Sequence, residues 1–366
     1  MNHDYSKVVA ERAPGAATTV RLSGVPDDRT LLKTAAEVTR DLQQPDPLLY
    51  WSDFLGSAVL GYSALAAAIL VHSVPAAFLC GVAAILALYR ATLFIHEITH
   101  FQPGRLPGFR VAWNVLLGIP TLLPSFMYEG IHIIHHTRTR YGTIRDPEYL
   151  PLALMKPWTL PVFLLVSLLM PAALLLRFGI LGPLSVFSPP LRRILVARFS
   201  GLQINPRFER RAPEGVFARQ WFWQEFGASL VAVAIIAALT TGMLPVRSFL
   251  IAMTVLAGVA VLNQMRTLVA HLWENDGAPL TITAQFLDST NVAQGVLAGL
   301  WAPVGLRFHA LHHLLPSLPY HSLAEANRRL SRALGPDSVY ARADYPSLGQ
   351  LVRRLAANTM KGRSRG

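Results

Sequence analysis

The chain has 366 residues, of which 52% are hydrophobic and only 15% charged, with a mean hydropathy of +0.37 and a formal net charge of +12. Ordinary soluble domains carry about a quarter charged residues, so this composition excludes a water-soluble globular enzyme and points to the bilayer. The positive charge lies outside the apolar runs, where cytoplasmic loops carry it, so no nucleic-acid partner is expected; the lone Cys80 excludes an intrachain disulfide.

Residues 1–28, rich in Ala, Pro, Asp and Arg, read as disordered, with a solvated His3 and no apolar core of a signal peptide. Residues 29–43 set Leu31, Leu32, Ala35, Val38 and Leu42 on one stripe, an amphipathic helix for the membrane or the protein surface. Tyr50 and Trp51 then suit an interfacial anchor. Runs 54–72 and 76–95 are each close to the length a bilayer core requires, joined by a short uncharged turn, with His72 an ordinary interfacial residue. Residues 111–126 are too short and too Pro-broken to span, and predict a re-entrant or interfacial segment.

Residues 157–187 are apolar but interrupted by Pro161, Pro171 and Pro183. Residues 221–240 and 246–266 are cleaner spans. If 157–187 crossed once, the histidines after it would face the opposite side from those before it. The segment is therefore expected to lie at the interface, dip and return, or cross twice. Residues 323–334 and 347–357 read as amphipathic helices, followed by a loose basic end from about Asn358. The expectation is an all-α integral membrane protein with about four transmembrane helices, re-entrant or interfacial helices, and a cytoplasmic helical cap bearing a histidine-rich di-metal site. Its parts are an N-terminal cytoplasmic segment (1–48), a membrane domain (49–335) and a C-terminal cytoplasmic tail (336–366). Basic residues that are mostly Arg, as in GC-rich bacterial genes, suggest a bacterial inner membrane.

Eight of the twelve histidines sit in three clusters: His96-Glu97-Ile98-Thr99-His100, His132-Ile133-Ile134-His135-His136 and His309-Ala310-Leu311-His312-His313. On a helix, i, i+3 and i+4 share a face, while neighbours such as His312 and His313 point about 100° apart and can reach different ions. His271, directly after the last span, is a ninth. Imidazole suits iron, zinc, copper and nickel, and no cysteine lies near the clusters. Nine nitrogens fit two metal ions with four or five protein ligands each, without the carboxylates of Glu-rich di-iron bundles. Iron with an open position activates oxygen, which can attack an unactivated methylene. The first cluster also matches the zinc-protease motif, with Glu97 as base, but that reading leaves the other clusters unexplained. A non-catalytic metal store or lipid-binding protein is a further alternative.

The three clusters, in this order and with these flanking spans, resemble the membrane fatty-acid desaturase superfamily. Tyr141-Gly142-Thr143 with Asp146-Pro147-Glu148-Tyr149, Arg266 through His271, and Leu300 through His321 resemble its bacterial branch. The resemblance covers roughly residues 50–335. It implies two irons held by His96, His100, His132, His135, His136, His271, His309, His312 and His313. It also implies dioxygen as co-substrate and electrons from a separate ferredoxin, rubredoxin or cytochrome b5-type donor with its reductase. Thr267 stands where the stearoyl-CoA branch has Asn, and the first cluster is one residue shorter than in that branch, so acyl-CoA specificity does not carry over. The implied activity is desaturation of a lipid acyl chain; the alternative on the same site is a lipid, alkane or carotenoid hydroxylase or ketolase. Glu129, Asp146, Glu148, Glu274, Asp276 and Asp288, with Asn291 and His321, are candidates to orient ligand imidazoles. Arg138, Arg140 and Arg145 are candidates to dock an acidic donor or anionic headgroups.

Overall fold

The computed structural model describes residues 22–102, 104–156, 158–292 and 297–361. His3, most of the expected disordered start and the last five basic-rich residues lie outside the described residues. Among the described residues the chain is helical, with only isolated β-bridges. The helices used below are α1 (Arg29–Val38), α2 (Pro47–Leu70), α3 (Val74–His100), α4 (His132–His135), α5 (Thr159–Ser185), α6 (Gly215–Thr240), α7 (Val246–Leu268), α8 (Ile282–Asp288), α9 (His309–Leu314), α10 (Leu323–Leu334) and α11 (Leu348–Lys361).

Five of these, α2, α3, α5, α6 and α7, are long and apolar enough to cross a bilayer. The first begins earlier than the hydrophobic run suggests. Asp46 caps it by accepting from the Leu48 and Leu49 amides, and Pro47 occupies the position where a missing N–H costs nothing. This extension carries Tyr50 into the protein. Tyr50 is fully buried and donates to Glu97, so it is not the interfacial anchor the sequence suggests. The second run likewise continues through a bend at Leu93 to end on His100. Both extensions arise because protein contacts, not lipid, cover the last turns on the histidine side.

Packing among the spans is close. A side chain at Gly61 would stand 2.6 Å from the Leu88 side chain and 3.1 Å from its backbone nitrogen, so α2 and α3 approach where only glycine fits. Outward-facing Val59, Leu60, Phe78, Leu79, Leu230 and Leu250 are exposed, as lipid-facing residues must be. The turns after α2 and after α6 meet: Arg247, at the start of α7, donates to the carbonyls of Ile69 and Val71. These two turns therefore share one side, and the histidine-bearing ends of α3 and α7 share the other.

Contacts at the ends of α5 decide its course. Before it, the Ala153 amide donates to the Trp273 carbonyl, two residues beyond His271, and the Phe163 ring packs edge-on against Trp273. After it, the Leu202 amide donates to Met127, and Arg210 donates to the carbonyls of Phe126 and Glu129. Both flanks are thus tied to the histidine side. The helix is not straight: it tightens to a 3-10 turn at Val166–Leu169 and widens to a π turn at Arg177–Leu181. Its three prolines account for such irregularity. Four helices cross, and α5 is an embedded helix that enters and leaves on one side. Residues Phe109–Trp113 and Asn114–Gly118 form a second dipping segment, because the hydroxyl of Tyr62, well inside α2, donates to the Leu116 carbonyl.

Below the spans, α1, α8, α10 and α11 share one apolar cluster that contains Leu31, Ala35, Phe286, Leu330 and Leu351. The amphipathic α1 therefore lies on the protein. Arg329 fixes it by donating to Asp41 and to the Val38 carbonyl.

Single cysteines introduced into a Cys80→Ser chain test this topology. A membrane-impermeant maleimide added from one side is expected to label Ser73→Cys and Thr241→Cys together and to spare Arg193→Cys. Labelling of Ser73→Cys and Arg193→Cys from that side, with Thr241→Cys spared, would mean that α5 crosses the bilayer.

Candidate metal centre

The nine histidines singled out in the sequence come together, in two adjoining groups. In the first, ligand atoms of His96, His100, His132 and His312 all lie within 4.8 Å of one another. His136 joins them, its Nε2 standing 3.0 Å from that of His132 and 3.1 Å from that of His312. In the second, His135, His271, His309 and His313 meet the same limit, with Nε2 of His271 3.2 Å from that of His135 and 3.0 Å from that of His309. His72 does not take part, and His321 instead accepts from the Asp46 amide at the start of α2.

The division follows from helix geometry. In each of the two five-residue clusters, the i, i+4 pair shares a group and the remaining histidine goes to the other. His132 and His136 belong to the first group and His135 to the second. His309 and His313 belong to the second and His312 to the first. The two clusters therefore interlock, and each group takes ligands from both.

The donor set fits metal ions. Two nitrogens at right angles on one ion, each about 2.1 Å away, stand about 3.0 Å apart, which matches the closest Nε2 pairs here. Buried Nε2 atoms of His96 and His100 have no hydrogen-bond partner among the described residues. Burial first, then the neighbouring imidazoles, hold His132, His136, His271, His309, His312 and His313 well below the usual imidazole range. They are neutral at pH 7 and present lone pairs, the form a metal takes.

The outer nitrogens are held by carboxylates and tyrosines. Asp146 accepts from His135 Nδ1 at 2.9 Å, and its other contacts, the amides of Gly142 and Glu148, fix the loop that carries it. Burial lowers His135, but Asp146 outweighs that and its pKa is raised. Glu148 and the Tyr128 hydroxyl each lie 2.9 Å from His132 Nδ1. Asp288 reaches His271 indirectly: Tyr141 donates to Asp288 and its oxygen lies 2.9 Å from His271 Nδ1, while Tyr149 also donates to Asp288. Burial pushes both Glu148 and Asp288 up to about 7. Such partners set tautomer and ring orientation.

Other sequence candidates lie elsewhere. Glu129 bonds Ser125 and pairs with Arg110, Asp276 is exposed, and Glu274 pairs with Arg354. Asn291 works one step back: it accepts from the Leu311 amide and donates to Asp344, fixing the start of α9. Arg138 pairs with Asp27. Glu97 accepts from Tyr50 and from the Tyr320 amide at 3.0 Å, so it ties α3 to α2 and is not free to act as a protease base. The sequence reading did not assign roles to Tyr128, Tyr141 or Ser289. Tyr128 was detectable, four residues before His132 and therefore on its face; Ser289, 3.2 Å from His271 Nδ1, arrives through an isolated bridge that no local pattern announces.

The fatty acid desaturase model matches residues 70–345. Over 342 residues the chain is 46% identical to a ceramide hydroxylase of Caulobacter vibrioides (strain NA1000 / CB15N), an alignment that covers 92% of this chain and 97% of that protein. No solved structure matches.

The two groups predict two metal ions per chain, measured by elemental analysis of purified protein. Asp146→Asn is expected to weaken metal retention about 10- to 100-fold in a chelator titration, with the helical content unchanged. Undiminished retention would remove Asp146 from any part in ordering the site.

Proposed function

The chain belongs to the fatty acid desaturase family and is a lipid-modifying oxidoreductase of the desaturase or hydroxylase kind; from that premise we propose that it hydroxylates a ceramide-type lipid at a di-iron centre. The observation that carries this reading is the 46% identity to a ceramide hydroxylase over nearly the whole length of both chains, and the two four-histidine groups with His136 beside the first support it. His96, His100, His132, His136 and His312 hold one iron, and His135, His271, His309 and His313 the other. When bound, the pair of irons supplies the oxidising power to break an unactivated C–H bond with dioxygen.

The residues of the chain do the rest. Asp146, Glu148 with Tyr128, and Asp288 through Tyr141 hold the ligand rings in one tautomer and orientation. All the ligand side chains but His100 and His136 are buried, and those two are nearly so, which keeps bulk water from the reacting bond. In balance, a C–H bond becomes C–OH, one oxygen atom of dioxygen enters the product and the other leaves as water. The electrons come from a ferredoxin, rubredoxin or cytochrome b5-type donor and its reductase, the protons from solvent. The basic residues Arg138, Arg140 and Arg145 favour a cytoplasmic face for the site in a bacterial inner membrane, and suit an acidic donor.

Desaturation is the second reading, favoured by the name of the family model. The two reactions share the first hydrogen loss and part only in whether hydroxyl arrives or a second hydrogen leaves. Lipid mass spectrometry of a ceramide-producing host separates them. Expression of the chain with a donor system is expected to add the mass of one oxygen atom to ceramide, and His312→Ala to abolish the change. A product lighter by two hydrogens would replace hydroxylation with desaturation.

A further inference from the structure

Arg266 stands in the last turn of α7, five residues before His271, and its side chain turns inward: the residue is 8% exposed. Among the described residues no carboxylate stands within ion-pair distance of it, and Glu148 feels its charge from farther away. Its Nη2 donates to Asn263 at 3.2 Å, one turn back on the same helix, and its buried Nε has no acceptor. The guanidinium has five N–H donors in a planar fork, and the one on Nε is left unused. It lies beside the Tyr89 hydroxyl, and its charge is felt at His96, Tyr128, His271 and His309, so it faces the metal-binding histidines. A buried guanidinium with an unfilled donor is costly, and an ionised residue within a span marks a site by default.

The group it awaits is an oxygen. Nearby imidazoles are neutral and are turned to one another, and the Tyr89 hydroxyl, which donates to the Trp301 carbonyl, can fill one donor of the fork but leaves the buried Nε without an acceptor. Position narrows the source. The histidines gather where α3 and α7 leave the bilayer, at headgroup depth, and Arg266 shares that depth. A lipid whose polar group stays there presents the carbons next to that group, not those of mid-chain, to the histidines. We propose that Arg266 anchors the amide or hydroxyl oxygen of the lipid substrate, and that the oxidised carbon lies within a few bonds of that polar group. This rests on the ceramide reading above and assigns a positioning residue within it.

The test is binding to the metal-loaded protein in detergent without an electron donor, read by the change in intrinsic tryptophan fluorescence, with ceramide and a long-chain alkane of matched length as probes. Wild type is expected to prefer ceramide. Arg266→Met is expected to lose about 10- to 100-fold in ceramide affinity and nothing in alkane affinity, and Arg266→Lys to recover part of the loss. Metal content is expected to be equal in all three. Ceramide binding by the Met variant at wild-type strength would overturn the anchor and leave the ceramide reading standing. Loss of metal by the Met variant would make Arg266 a scaffold residue and overturn the anchor as well. If wild type itself binds ceramide no better than alkane, both the anchor and the ceramide reading fall.

Discussion

Nine imidazoles, drawn from segments more than two hundred residues apart, must gather into two adjoining groups whose closest nitrogens stand 3.0 Å apart, in a place water scarcely reaches. Protonation of any of them would set like charges against each other, and burial already holds most of them far below the usual imidazole range. Lone pairs so arranged repel weakly at best, and a cation between them is what turns the arrangement favourable. The fold is the frame that makes this crowding bearable. Its demand on the chain is topological before it is chemical, since every segment that contributes a histidine must end on the same side of the bilayer.

That demand explains α5. A chain that crosses after the second cluster must cross back before His271, and three span-sized helices lie between. One of them has to return. The return is enforced by charge: Glu225 on α6 accepts from both Arg177 at the π turn of α5 and Arg192 in the segment that follows. Charged groups at the edge of a bilayer are tolerated when they meet in this way, and the trio binds the embedded helix to a true span. The prolines that make α5 a poor span are those that let it bend.

The histidine spacing made the site legible because helical periodicity is local: i, i+4 pairs can be read from the sequence alone. The lengths of the apolar runs made four spans legible for the same reason, although their ends moved where Asp46 and the bend at Leu93 carried helices beyond the lipid. The rest depends on long-range placement. Asp146, Glu148 and Asp288 could be named as candidates but not told from Glu129 and Asp276. What separates them is which loop folds back, and that is decided by pairings such as Ile204 with Pro147 and Leu272 with Asp288. Tyr50 illustrates the reverse error. Beside Trp51 at the start of a span its composition suggests an anchor, yet it pins the end of α3 from within an aromatic cluster of Phe94, Phe101, Phe109 and Tyr320.

The same long-range placement determines the charge balance of the centre. Imidazole ligands bring no charge, so the negative charge that offsets bound cations has to come from one layer out. Asp146, Glu148 and Asp288 lie there, each joined to a ligand ring directly or through one tyrosine. Burial alone pushes Glu148 and Asp288 towards neutrality, and a cation on the far side of the ring pulls them back to the carboxylate form. Arg266 is the opposite case: it adds positive charge to a region that already has to accommodate cations, Glu148 offsets it only from beyond ion-pair distance, and its buried Nε has no acceptor among the described residues. An oxygen-bearing lipid is the partner that this position, at the lipid–water boundary and within reach of the histidines, supplies.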